Sequence, residues 1–358
     1  MNKVLMSGND AVVEGAIRAG LDCYFGYPIT PQNEIIGGMA VRLPPLGRVF
    51  LQSESELAAV SMVEGAAAAG KRAMTTSSSP GISLMQEGIS YIAGAQVPAV
   101  FVNVQRGGPG LGNIGAAQGD YFQATRGGGN GDYHSIVLAP ASAQEMLDFT
   151  FEAFDLADQY RMPVMVLADG RLGQTMEPVE LRNPPARKPP PKPWALTGAE
   201  GRAPNYVHSF RLPPPELAEH NRELQKTYRE VERREARAEL YRTTDAAMVF
   251  VAYGTCARLC REAVDLLREQ GLKAGMARPI TLWPYPNKKL QAAVKKAKQV
   301  VVVEMSAGQM LNDVRLALAD RVPIELVARM GGEAPSVKEL VALGRKFLGK
   351  ARRNRVRA

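Results

Sequence analysis

Glu54 and Glu56 stand between an apolar run, Val49 to Leu51, and a stretch of small residues, Ala58 to Ala69. The run reads as the end of a buried strand. The stretch reads as a helix whose small side chains admit a close neighbour. Open α/β sheets bind ligands at the carboxyl ends of their strands, and a carboxyl backed by an apolar helix there can exchange protons with a bound group. Acids are also favoured at any helix start by the dipole, so spacing alone leaves both readings of this pair open.

Three more strand ends carry polar chemistry. Cys23 to Tyr27 runs into Pro28-Ile29-Thr30-Pro31, where two prolines fix the loop. The Thr30 hydroxyl is expected to cap the next helix, at the positive end where a carboxylate can sit. Arg72 to Thr76 leads into Ser77-Ser78-Ser79-Pro80-Gly81, a hydroxyl-rich turn opening a helix from Ile82 to Ala95. Ala99 to Val104, apolar except for Asn103, ends at Gln105-Arg106 and the glycine-rich loop Gly107 to Gly115. A guanidinium there suits carboxylate recognition, although a plain surface cation has the same sequence signature. Gly110 to Gly115 matches G-x-G-x-x-G, but its first glycine does not follow directly on a strand. Asp132 belongs to a second loop, Gly127 to Gly131, so a dinucleotide site is excluded. Both loops are suited to cover a site. Glu304 is a second, weaker strand-end acid.

The elements that position these residues alternate between strand and helix, which calls for parallel sheets with helices on both faces. The chain has 358 residues, which favours more than one domain. Residues 1–182 form the first α/β unit. Residues 183–243 combine a proline-rich extended linker with a charged helix from Glu216 to Arg242. Residues 244–348 form a second α/β unit, in which Thr281 to Pro286 turns sharply, and residues 349–358 are a basic tail.

Composition narrows the function classes. Three cysteines, Cys23, Cys256 and Cys260, supply neither a disulfide framework nor a four-cysteine iron–sulfur site. The net charge of +8 resides almost wholly in residues 345–358, which hold seven Lys and Arg and no acid. Such an end is more often solvated than bound to nucleic acid. No apolar run reaches membrane-spanning length and no secretory core opens the chain, so a cytoplasmic protein is expected.

Gly26-Tyr27-Pro28-Ile29-Thr30-Pro31, Glu54-Ser55-Glu56, Ser79-Pro80-Gly81 and Gln105-Arg106-Gly107-Gly108-Pro109 together resemble the α-type subunit of 2-oxoacid:ferredoxin oxidoreductases. Tyr253-Gly254, Trp283-Pro284 and Glu304 to Gln309 are similar to its carboxyl-terminal domain. The run Gly108 to Ile114 and the loop Arg126 to Gly129 look most like the 2-oxoisovalerate branch, whereas the 2-oxoglutarate type carries Gly-Pro-Ser-Thr-Gly at Gly108 to Gly112. The resemblance implies two doubly wound domains, one like the pyrimidine-binding domain for thiamine diphosphate and one like the transketolase carboxyl-terminal domain. It implies Glu56, and not Glu54, as the cofactor-activating acid, by its spacing to Gly65-Ala66. Thr30 and Arg106 fall where the family holds the substrate carboxylate. Tyr27, Pro28, Ile29, Ser79 and Pro80 fall on the cofactor loops, and no residue falls on a metal. It further implies a β-type partner carrying the diphosphate, Mg²⁺ and a [4Fe-4S] cluster. Expected besides are γ-type and ferredoxin-like δ subunits, external ferredoxin and coenzyme A, with no membrane or nucleic acid.

Overall fold

The computed structural model describes residues 3–319 and 321–356, with side chains as far as residue 349. Its larger sheet has seven strands, in spatial order Thr281–Trp283, Ile136–Leu138, Pro163–Asp169, Ala99–Gln105, Ala73–Ser77, Cys23–Gly26 and Val49–Gln52. Neighbours pair in parallel, except that Thr281–Trp283 runs antiparallel to Ile136–Leu138. Every residue of Ala99–Gln105 and Pro163–Asp169 is buried, as a parallel strand covered on both faces requires. Helices close over both faces. One of them, Ala143–Tyr160, starts where Ser142 Oγ accepts from Glu145 N at 3.1 Å and so satisfies an orphan amide of its first turn.

The second sheet is ordered Ile324–Ala328, Gln299–Glu304, Met248–Val251, Ala274–Pro279, Ala238–Tyr241, the last strand antiparallel. A two-stranded ribbon joins Lys3–Ser7 to Met176–Glu180.

Several elements differ from the sequence expectations. The helix expected over Ile82 to Ala95 is two helices, Ser79–Leu84 and Gln86–Gly94. The charged helix is Pro214–Glu235, and the residues after it form the antiparallel edge strand of the second sheet. Thr281 to Trp283, expected as part of a turn, is the edge strand of the first sheet. Each sheet is thus completed by chain from outside its own α/β run. The proline-rich segment is extended but strapped down: Leu196 N donates to Ala68 O at 2.9 Å. Lys192 Nζ pairs with Asp158 at 2.7 Å, and the Arg161 guanidinium lies 4.4 Å from the Trp194 ring centre. A helix, Val337–Val356, enters the stretch expected as a basic tail; residues 357 and 358 and the side chains from 350 onward lie outside the described residues.

Buried polar side chains lock the two units together. Asp169, 1% exposed, accepts from Arg171 N, Leu172 N and Thr255 Oγ1 with Oδ1, and from Thr255 N with Oδ2, at 2.8–3.2 Å. It therefore caps a helix in each unit, while burial pushes its carboxyl up. Gln118 donates to Tyr253 O at 3.0 Å and accepts from Met305 N at 2.9 Å.

Candidate active site

The chain passes from Cys23–Gly26 outward to Val49–Gln52, then back across to Ala73–Ser77 and on to Ala99–Gln105. The sheet therefore has a topological switch point between Cys23–Gly26 and Ala73–Ser77, where α/β sheets open a crevice at their carboxyl edge. The loop from Tyr27 to Gln32 leaves one side of that crevice and Ser79–Pro80 the other. Glu56 and Arg106 follow the two flanking strands, so Tyr27, Pro28, Ile29, Thr30, Glu56, Ser79, Pro80 and Arg106 lie along one edge, whereas Glu304 ends a strand of the second sheet.

The structure separates the two acids. Ser55 is the N-cap of helix Glu56–Ala68, its Oγ accepting from Ala58 N at 3.2 Å. Glu56 is the first helical residue and 6% exposed, whereas Glu54 is exposed. A long bond from Ser77 Oγ, 3.5 Å to Oε1, is the one hydrogen bond to the Glu56 carboxyl among the described residues. A β-carbon at Gly81 would collide with both Glu56 Oε1 and Ser77 Oγ. The bare glycine leaves open the space in front of the acid.

Arg106 is held as a bridge. Its Nη1 donates to Thr30 O at 3.0 Å and its Nη2 to Leu111 O at 3.1 Å, while its buried Nε has no partner among the described residues. Ser79 Oγ accepts from Arg106 N at 3.1 Å and donates to Arg106 O at 3.3 Å, fastening two strand ends together. Thr30 is not the cap expected of it. The helix starts at Asn33 with Gln32 at its N-cap, and among the described residues the Thr30 hydroxyl accepts only from Asn33 Nδ2, at 3.3 Å. Pro31 precedes the N-cap instead of filling the first turn, which leaves the half-buried hydroxyl at the rim of the crevice.

Tyr27 and Pro28 are exposed and Ile29 half-buried, on a loop buttressed from beneath. Buried Gln32 accepts from Thr76 Oγ1 at 2.6 Å. Pro31 O accepts from Asn9 Nδ2 at 2.8 Å and from Gln174 Nε2 at 3.1 Å. A loop pinned at so many points presents its groups with little ordering left to do.

Sequence reasoning missed Asp120. Its Oδ2 accepts from Asn103 Nδ2 at 2.8 Å and its amide donates to Gln105 Oε1 at 3.1 Å. Burial pushes this carboxyl up, against the opposing bonds from Ser79 and Asn103. Asn103 and Gln105, polar on an apolar strand, were the signal. Glu304 is not a second site. It caps helix Gln309–Leu318, accepting from Met310 N at 3.0 Å, from Leu311 N at 3.1 Å and from Ser306 Oγ. Among the described residues no three His, Cys, Asp or Glu side chains converge on a metal-sized site.

The two doubly wound domains, with polar groups at this switch point, define a transketolase-like fold. A split-gene transketolase shares the fold with a TM-score of 0.60 at 15% identity, over 96% of each chain. Within that fold, residues 14–239 match the model for pyruvate flavodoxin/ferredoxin oxidoreductase, thiamine-diphosphate-binding, and residues 246–340 that for pyruvate:ferredoxin oxidoreductase core domain II. The chain belongs to this family of 2-oxoacid:ferredoxin oxidoreductases. The ketoisovalerate oxidoreductase subunit VorB of Methanothermobacter thermautotrophicus is 49% identical, over 96% of this chain and 98% of its own. The 2-oxoglutarate synthase subunit KorA of Methanocaldococcus jannaschii is 38% identical, over 95% and 98%. The 2-oxoglutarate:ferredoxin oxidoreductase of Magnetococcus marinus superposes with a TM-score of 0.82 at 28% identity, and this chain spans 65% of that one. No described helix is long and apolar enough to cross a membrane.

Proposed function

We propose that this chain is the pyrimidine-side subunit of a cytoplasmic oxidoreductase converting a branched-chain 2-oxoacid and coenzyme A to an acyl-CoA and CO₂, with ferredoxin as electron acceptor. The observation that carries the reading is the switch-point crevice itself, with an open-sided buried Glu56 on one flank and Arg106 on the other. The VorB relatives, at 48–49% identity, stand nearer to this chain than the KorA relatives at 36–40%. Three free, buried cysteines fit a reducing compartment.

The residues present fit the pyrimidine half of thiamine diphosphate. Gly81 leaves a wall without a β-carbon before Glu56, and Ser78 Oγ is buried with no partner among the described residues. Tyr27, Pro28, Ile29, Ser79, Pro80 and Glu56 would hold that half. When bound, the coenzyme supplies the electron sink for decarboxylation. Glu56 holds or takes a proton at its carboxyl, screened from water by the apolar helix behind it. Thr30 Oγ1 and the Arg106 guanidinium orient the substrate carboxylate.

A β-type partner would bring the diphosphate site, Mg²⁺ and a [4Fe-4S] cluster, with γ-type and δ-type subunits completing the complex. Tyr27, Leu51, Leu57 and Leu84, 38–56% exposed, surround the crevice edge with the apolar surface that a partner covers. The test is the complex purified with this chain, assayed by viologen reduction. Coenzyme A-dependent reduction faster with 3-methyl-2-oxobutanoate than with pyruvate or 2-oxoglutarate is expected. Preference for another 2-oxoacid overturns the substrate, and absence of coenzyme A-dependent reduction overturns the activity.

A further inference from the structure

The loop that holds Arg106 is fastened to the other domain. It closes at its base through an Arg106–Ala116 bridge and a bond from Gly107 N to Gly115 O at 2.9 Å, and Ala116 packs on the core of the second unit. At its middle stands Asn113. Its Oδ1 accepts from Gly115 N at 2.9 Å, which shapes the loop, and its Nδ2 donates to Gly331 O at 2.8 Å, which ties the loop to a turn of the second unit.

Glycines surround this side chain. A β-carbon at Gly107 would stand 2.6 Å from Asn113 Oδ1, one at Gly332 3.0 Å from the same atom, and one at Gly115 2.8 Å from Gly332 Cα. Gly331 and Gly332 both have positive φ, 69° and 96°, a conformation that glycine adopts without penalty. The amide of Asn113 is thus seated in a socket of backbone drawn from both domains.

We propose that Asn113 is a positioning residue through which the second domain sets the substrate-binding guanidinium. Asn113 fixes the loop, the loop carbonyl of Leu111 fixes Arg106 Nη2, and Arg106 meets the 2-oxoacid carboxylate. The inference rests on the carboxylate-binding role proposed for Arg106.

The experiment uses the assembled complex with Asn113→Asp, Gly332→Ala and Arg106→Lys. Asn113→Asp keeps the acceptor for Gly115 N but sets a carboxylate against Gly331 O. Gly332→Ala presses a methyl from the second domain against the Asn113 amide without changing any first-domain residue. Both are expected to raise the 2-oxoacid KM about fivefold to tenfold, the effect of one net hydrogen bond, with kcat falling less and the coenzyme A KM unchanged. The melting temperature stays unchanged in Asn113→Asp and falls in Gly332→Ala, whose φ of 96° strains an alanine. A wild-type 2-oxoacid KM in Asn113→Asp, or a coenzyme A KM rising in step, overturns the proposal. Arg106→Lys separates the two levels. An unchanged 2-oxoacid KM there overturns the site reading itself, whereas a raised KM with Asn113→Asp silent overturns the latch alone.

Discussion

The α-carbon of Gly81 faces the Glu56 carboxyl so closely that a β-carbon there would overlap Oε1. The helix carrying Gly81 follows one strand and Glu56 follows another, so the space between them is set by the sheet and not by either loop. Gly81→Ala forces a methyl into that space. Overpacking of this kind costs about 1–3 kcal/mol, and here it falls on the volume a cofactor ring would use. The complex is expected to retain thiamine diphosphate about tenfold less tightly, read by thiamine release on dilution, while still assembling. Wild-type retention would remove Gly81 from the cofactor wall.

Glu56→Gln preserves size and burial but removes the exchangeable carboxyl proton. General acid–base groups contribute about 10²–10⁴-fold, so kcat should fall by that factor in an assembled complex. Glu54→Gln, on an exposed side chain two residues away, should stay within about twofold, as surface substitutions do. Equal losses in both variants would mean that the helix start, and not one carboxyl, matters.

Strand ends were the most legible part of this chain because each is written locally. An apolar run stops and a polar or glycine-rich turn starts, as at Leu51–Glu56, Thr76–Pro80 and Val104–Gly107. What was not legible depends on distant partners. Thr281 to Trp283 reads as a turn beside two prolines, and becomes a strand only because Ile136–Leu138 offers it an edge. Ala238 to Tyr241 reads as the end of a charged helix until Ala274–Pro279 pairs with it. Glu304 and Asp169 look alike in sequence, an acid closing an apolar strand. Only the helix amides that each accepts from show that they are caps. Asn113 and Gly331 are 218 residues apart, and nothing local announces that they meet.

Thr30 leaves its hydroxyl at the crevice rim with a single long bond to Asn33, so its removal should cost the fold little. Thr30→Val keeps the shape and deletes the donor. A hydrogen bond to a charged group is worth about 1.5–3 kcal/mol, so the 2-oxoacid KM should rise about tenfold to a hundredfold, with Thr30→Ser close to wild type. A KM unaffected in Thr30→Val would take this hydroxyl out of substrate binding.

Asp169 offers a test of how the domains are joined. Its carboxyl accepts four bonds, yet burial still holds it above the ordinary aspartate range. The folded state therefore binds this proton more tightly than the unfolded chain does. By linkage, its contribution to stability is fully present below the unfolded value and declines as pH rises through the raised folded value. Asp169→Asn keeps one acceptor oxygen and has no titration. The variant should be less stable in urea at every pH, because an amide cannot satisfy both helix ends. Its deficit relative to wild type should be largest below the unfolded carboxyl value, about pH 4, and narrow as the wild-type carboxyl ionises. A deficit that widens with rising pH would show that the ionised form is the better cap, and that the bonds from Thr255, Arg171 and Leu172 outweigh burial.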